Sequence, residues 1–166
     1  MLIRNEIADD LPAIRAVVTE AMKMLAQSTG TEAQIIDRLR EDKALALSLV
    51  AEDDGRVVGY LAASRARIGA HDGWGLIGPL AVLPSRHRQG IGSTLMAAAI
   101  LRLRATFQGA VLVGDPGYYG RFGFRACPGL GVGSVPSEFV LALPFGAAEP
   151  RGEVIHHPAF GLKQQA

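Results

Sequence analysis

Cysteine is almost missing from this 166-residue chain: Cys127 stands alone, so no intrachain disulfide can form. That suits a reducing compartment, and a cytoplasmic location is expected. No apolar run approaches the roughly 20 residues that cross a bilayer as a helix, which argues against a membrane partner. Met1-Leu2-Ile3-Arg4 leads straight into a strand-like start with Glu6 and Asp9 close behind, unlike a secretory leader. An excess of one charge is lacking too. Seventeen Lys and Arg stand against sixteen Asp and Glu, a net charge of +1, which speaks against bulk nucleic-acid binding and leaves a local basic groove open. His156-His157 has no neighbouring cysteine or acidic cluster to complete a metal site, so no metal is expected. Repeats, low-complexity tracts and an interdomain linker are absent from the sequence. What is present is a chain that is 49% apolar, enough for a substantial core. The expectation is a single domain, residues 1–166, with a core over about residues 3–145 and an extension over 146–166.

Periodicity divides the chain. Leu2–Ile7 reads as a strand. Asp9 or Asp10 is placed to cap a helix with Pro12 in its first turn, and Leu11, Ile14, Val17, Val18, Met22 and Leu25 form one apolar stripe. Thr31 and Gln34 suggest a capping box for a second helix with Ile35, Ile36 and Leu39 inward. Leu45–Glu52 and Arg56–Ala66 read as strands joined at Asp53-Asp54-Gly55, a hairpin signal. Gly69–Gly75, with His71, Asp72 and Trp74, reads as a polar loop. Leu76–Val82 is a fourth strand, Ser93–Phe107 a helix and Ala110–Val113 a fifth strand, which predicts a parallel, right-handed crossover. Phe124–Ala126 and Glu138–Leu143 read as strands, Gly129–Pro136 as loop, and Val154-Ile155 as a short edge strand. The mixture indicates α/β or α+β architecture.

The most informative stretch is Leu80-Ala81-Val82-Leu83-Pro84 followed by Arg86-His87-Arg88-Gln89-Gly90-Ile91-Gly92-Ser93. An apolar strand, a basic glycine-containing loop and a helix start make an anion site. Backbone N–H groups at a helix N-terminus lack intrahelical partners, and the helix dipole favours negative charge there. Gly90 and Gly92 permit a tight turn and close approach of a ligand to the backbone. A pyrophosphate suits such a loop. A Walker-type loop needs Gly-Lys-Ser/Thr, but Gly92 is followed directly by Ser93. A dinucleotide fingerprint needs a third glycine where Leu95 stands.

The segment instead resembles the acetyl-coenzyme A loop of the GNAT superfamily of N-acetyltransferases, Gln/Arg-x-x-Gly-x-Gly/Ala after an apolar fourth strand. His87 stands where the family usually has glutamine or arginine. A second segment, Asp115-Pro116-Gly117-Tyr118-Tyr119-Gly120-Arg121-Phe122-Gly123-Phe124, resembles the family's Tyr-x-x-x-Gly-Phe pattern, with Tyr119 as its tyrosine. The two motifs are independent and fall in the expected order. The resemblance runs from about Ile3 to Phe145 and is strongest to predicted bacterial members with an Asp-Pro-x-Tyr-Tyr segment. It implies an α/β (α+β) fold: a splayed, mostly antiparallel mixed sheet, opening between strands four and five and flanked by helices. It further implies acetyl-coenzyme A as cosubstrate. The donor would be held by the backbone of Leu80, Ala81 and Val82 along its pantetheine arm, by His87, Arg88, Gln89, Gly90, Ile91, Gly92 and Ser93 at the pyrophosphate, and by Asp115, Tyr118, Tyr119 and Phe122 beside them.

On that resemblance, Tyr119 is the candidate catalytic acid. A phenol of pKa about 10 stays protonated at neutral pH and can donate to a thiolate whose parent thiol has a pKa of about 8.5. The alternative is a half-buried packing tyrosine. Many family members use a strand-four glutamate as base, but Leu76-Ile77-Gly78-Pro79-Leu80 offers none. His71 and Asp72 are candidates against a solvated-loop alternative. Asp115 sits at a strand end, where capping the following turn is the competing role. Cys127 reads as packing, and Arg65 and Arg67 as a solvated strand edge or a substrate groove. The expected reaction is direct acetyl transfer to a primary amine, most simply of a small molecule. The rivals are a non-catalytic acetyl-coenzyme A sensor, and an enzyme acting on a protein or aminoacyl-tRNA. A homodimer through the apolar segment Phe139–Phe145 is a further alternative.

Overall fold

The computed structural model describes residues 1–25, 28–146 and 148–163. They fall into two compact units, Met1–Ala63 with Pro79–Ala99 and Ser64–Gly78 with Ile100–Ala166.

In the first unit, β1 (Leu2–Asn5) pairs antiparallel with β2 (Leu45–Asp53), placing Leu2 opposite Glu52 and Asn5 opposite Leu49. A two-residue turn leads into β3 (Arg56–Ile68), with φ of 50° at Asp54 and 73° at Gly55. Positive φ at both central residues gives the turn whose twist matches paired strands, so the expected hairpin forms. α1 (Leu11–Met22) buries Ile14, Val17, Val18, Ala21 and Met22 on one face, and these pack with Ile36, Val50, Tyr60, Ala62 and Ala81. α2 (Glu32–Glu41) buries Ile35, Ile36 and Leu39. Each such side chain contributes about 1.5–3 kcal/mol through burial. On the other face of β3 runs α3 (Ile91–Arg104), whose first turns lie so close that a Cβ on Gly59 would meet Ile91 at 2.9 Å and Leu95 at 3.0 Å.

Three local expectations are corrected here. Leu25 lies beyond the end of α1 and is exposed. Asp10 occupies the N-cap position of α1, but its carboxylate accepts from Arg4 at 2.7 and 3.0 Å and from the Ile7 N–H at 2.8 Å. The Thr31–Gln34 box does not form: Thr31 makes no side-chain cap bond, and its own N–H goes to Thr29 Oγ1 at 3.3 Å.

In the second unit, the stretch expected as a loop is mostly strand. The turn is confined to Gly69 and Ala70, and β4 (His71–Val82) starts at once. Gly69 adopts φ 58°, which lets so short a turn close. Trp74 is therefore a buried strand residue. β4 pairs in parallel with β5 (Gly109–Val113) through Trp74↔Gly109, Gly75↔Ala110 and Leu76↔Val111, as the strand–helix–strand order requires. β5 continues to Val113, paired antiparallel with β8 (Val140–Pro144). The two-residue β6 (Arg125–Ala126) lies on the far side of β8. β8 thus has a partner on each side within this chain, which bears on the subunit pairing considered for Phe139–Phe145. A short β7 (Leu130–Gly131), inside the expected loop, pairs in parallel with β9 (Gly152–Ile155), and β9 pairs antiparallel with the end of β3. Trp74, Leu76, Val111, Cys127, Val140, Ala142 and Val154 form the core of this unit. Cys127 is a packing residue. The sheet is mixed and flanked by helices, an α/β fold. Among the described residues no helix is long and apolar enough to cross a membrane.

Candidate active site

The loop between β4 and α3 is assembled within the first unit. Leu83 donates its N–H to Val58 O at 3.0 Å, which fixes where β4 ends. A 3-10 turn over Pro84–Arg86 follows. Arg86 then donates Nε to Gln89 Oε1 at 2.9 Å and an amino group to Asp53. The Arg86 guanidinium holds the Asp53 carboxyl below the usual carboxylate range. Arg86 and the side chain of Gln89 are thus partnered inside the loop, and the positive charge expected of Arg86 is tied to Asp53. The exposed His87 ring is tied back to the chain, with Nε2 2.9 Å from Val82 O. Sequence reading missed this contact, and no local signal announces it.

Of the loop's exposed side chains, His87 and Gln89 are engaged within the loop, and Arg88 stands beside the exposed main chain of Gly90. Arg88 has φ 64° and Gly90 φ 80°, both left-handed, immediately before α3 begins at Ile91. Left-handed residues alternating with others turn successive N–H groups to one side and make a concave anion nest. Thr94 N–H bonds to Gly90 O at 3.0 Å, and Thr94 Oγ1 bonds to the same oxygen at 2.8 Å. The amides of Ile91, Gly92 and Ser93 therefore precede the helix's own ladder. A Cβ at Gly90 would meet nothing within 4 Å, so the nest has an open face. These residues fit a phosphate group. Leading into the nest, Ala81 is buried with α1 while Leu80 and Val82 are half-buried on the alternate face.

The tyrosine segment belongs to the second unit. Asp115 accepts from the Gly117 N–H at 2.9 Å, and its main-chain carbonyl accepts from Tyr118 and Tyr119, each at 3.0 Å. It is the N-cap of α4 (Pro116–Tyr119), with Pro116 at the first helical position. Gly123, at φ 97°, ends the following 3-10 turn, and Phe124 behind it is buried. Tyr118 stands edge-on to Tyr119 at 4.9 Å and to Phe122 at 5.7 Å, and Arg121 lies 4.6 Å from the Tyr118 ring centre. The Tyr119 ring lies directly on Gly114, where any side chain would collide with it. Burial, and secondarily Tyr118, push the Tyr119 phenol up to about 12. It is a protonated hydrogen-bond donor across the physiological range.

Of the base candidates, His71 and Asp72 open β4 on the surface, and Asp72 faces Arg67 at 3.9 Å. His157 Nδ1 accepts from the Ala159 N–H at 2.9 Å, capping the last 3-10 turn. Among the described residues no group of three or more His, Cys, Asp or Glu is arranged to hold a metal ion.

An apolar strand, an anion nest and a helix make a site for a phosphorylated ligand, and similarity to known proteins gives its class, an acetyl-CoA-dependent acyltransferase. Residues 45–126 match the model of the acetyltransferase (GNAT) domain. The uncharacterized N-acetyltransferase YhbS of Escherichia coli K12 is 39% identical over 128 residues, covering 75% of this chain and 74% of YhbS. A GNAT family acetyltransferase from Brucella melitensis, solved in complex with acetyl-CoA, matches with a TM-score of 0.85 at 43% identity, covering 96% of this chain and 97% of that one. The E. coli YhbS structure, in complex with CoA, matches with a TM-score of 0.88 at 31% identity, covering 96% and 91%. This chain belongs to the GNAT family of N-acetyltransferases.

Proposed function

We propose that the protein takes the acetyl group of acetyl-CoA and transfers it directly to a primary amine of a small molecule. The observation that carries the reading is the nest of left-handed Arg88 and Gly90 ahead of α3. It offers backbone donors, with Arg88 beside them, to a pyrophosphate. The donor supplies an activated thioester. The chain's part is to bind, orient and donate. The amides of Gly90–Ser93 hold the phosphates, and the main chain of Leu80–Val82 pairs with the pantetheine amides as a strand edge pairs with a peptide. Holding both reactants removes the need for a bimolecular encounter.

Tyr119 supplies the hydrogen bond to the departing sulfur. With its phenol near 12, complete proton transfer to a thiolate of parent pKa about 8.5 is uphill by about 5 kcal/mol. Tyr119 therefore acts by stabilising developing thiolate charge, more than by giving the proton away. Tyr118 and Phe124 flank the Tyr119 ring, Phe122 backs Tyr118, and Asp115 holds the turn. A near-neutral chain favours a small acceptor over a polyanion. We read both units as one acetyltransferase domain, core about 3–145 with 146–166 as an extension, and place it in the cytoplasm on its single, buried cysteine.

The test is calorimetric titration with acetyl-CoA and CoA, then free-thiol release across an amine panel, for the wild type and Tyr119→Phe. Donor binding, amine-dependent release and an about 100-fold fall in kcat at unchanged donor affinity in Tyr119→Phe are expected. Failure to bind either nucleotide overturns the reading. Binding without release from any amine points to a sensor, which the glutamate-free fourth strand would suit.

A further inference from the structure

The second unit contains a groove of about 700 Å³ that neither the phosphate loop nor the tyrosine turn lines. It opens at the N-terminal ends of β4 and β5. The Tyr119 turn follows the other end of β5, about 16 Å along the strand. Its apolar surface comes from Trp74, which is buried, and from Phe107 and Phe145, which are half-buried. Its polar rim carries Arg104, Arg151 and His71, all exposed. Arg104 sits with its guanidinium 4.7 Å from the centre of the Phe145 ring, which holds the fork at the rim. The rim's charge is not cancelled from within. Glu149 also borders the groove, but its carboxylate is engaged by Arg125 at 2.7 Å. Among the described residues neither Arg104 nor Arg151 has an acidic partner within ion-pair distance.

We propose that this groove is a second ligand site, for a flat aromatic carboxylic acid. Three aromatic side chains present faces and edges on which a planar ring stacks. Two guanidinium groups at the rim take a carboxylate in forked hydrogen bonds, which a neutral alcohol cannot make. The volume lies within the range of small-molecule sites, about 300–1,000 Å³. Glu149 held by Arg125 leaves the rim cationic, so the complementarity selects an anion. The site stands whether or not Tyr119 has the role assigned above.

Trp74 is the chain's only tryptophan, so its indole reports on this groove alone. The experiment titrates 1-naphthoate and the neutral 1-naphthalenemethanol into full-length protein saturated with CoA, following the Trp74 indole N–H by nitrogen-15 NMR. One naphthoate per chain, a saturable indole shift and at least tenfold tighter binding of the acid are expected, with the preference shrinking as salt is raised. In Arg104→Gln/Arg151→Gln the preference falls below threefold while thiol release is unchanged. Equal binding of acid and alcohol, an unmoved Trp74 resonance, or a preference that survives the double substitution overturns the site. If the double variant fails to fold, the wild-type comparison of acid with alcohol across salt concentrations still decides it.

Discussion

The two units carry opposite charge and spend it differently. The first has nine Lys and Arg against eleven Asp and Glu, and the second has eight against five. In the first, cations are matched with carboxylates: Arg4 with Asp10 and Glu52, Arg40 with Glu6, Arg15 with Asp37, Arg86 with Asp53. In the second, Arg104 and Arg121 rest on aromatic faces. Charge in the first unit therefore fixes the frame, and the phosphate cradle relies on main-chain N–H groups that no titration can alter. In the second unit, aromatic packing positions the tyrosine and leaves cations over for a ligand. Binding of the donor and its turnover should consequently break separately.

Two glycines make the sharpest test of that separation. Gly114→Val thrusts a side chain into the Tyr119 ring. The tyrosine must move, and kcat should fall by about 100-fold with acetyl-CoA affinity kept, because the nest belongs to the other unit. Gly90→Val does the converse. A β-branched residue at φ 80° is strained by about 1–2 kcal/mol, so donor affinity should weaken by about tenfold. Its kcat at saturating donor should stay within about threefold of wild type. Calorimetry and steady-state kinetics on both variants check this. If Gly114→Val weakens donor binding as much as Gly90→Val does, the division of labour is wrong.

Acid should find the first unit's weak point. The Glu6 carboxyl is pushed up by burial, but bonds from Arg40, Ser48 and Tyr60 outweigh this and leave it below its ordinary value. Arg4 likewise holds the Asp10 carboxyl below the usual range. A folded-state pKa lowered in this way contributes stability above the unfolded pKa, and that stability is lost as pH falls through the folded one. Unfolding free energy should therefore decline below about pH 4.5. Glu6→Gln should cost about 1–3 kcal/mol at pH 7 and flatten that decline. Urea titrations at pH 7, 5, 4 and 3 measure both, and an unaltered pH dependence in Glu6→Gln would rule Glu6 out as its source.

The sequence made the cradle legible because its ingredients are contiguous: an apolar strand, two glycines and a helical stripe within Leu80–Phe107. The tyrosine turn was legible for the same reason, with Asp115, Pro116 and Gly123 as local punctuation. Gly69–Gly75 misled because glycine-rich composition looks like loop, whereas two residues suffice for the turn and Trp74 joins a core brought together from β3, β5, β8 and β9. Of the two cap candidates Asp9 and Asp10, Asp10 holds the position, but its carboxylate went to Arg4, six residues away on β1. The engagement of Arg86 with Asp53, 33 residues upstream, is likewise invisible to local pattern. Long-range charge pairing decides such cases, and period and propensity do not encode it.

That last pair yields the smallest predicted effect, and it discriminates well. Arg86 and Arg88 are equivalent in a sequence motif, two cations in one basic loop. In the fold Arg86 is spent on Gln89 and Asp53, while Arg88 is exposed in the left-handed position beside the nest. Arg86→Gln should change acetyl-CoA affinity by less than threefold, because the charge it removes is already neutralised. Arg88→Gln should weaken binding by about three- to tenfold and reduce its dependence on salt, as loss of a solvent-exposed phosphate partner does. Titrations of both variants at low and high salt measure the difference. Equal effects would mean that the loop acts through its summed charge, and that the backbone nest is not the principal anchor.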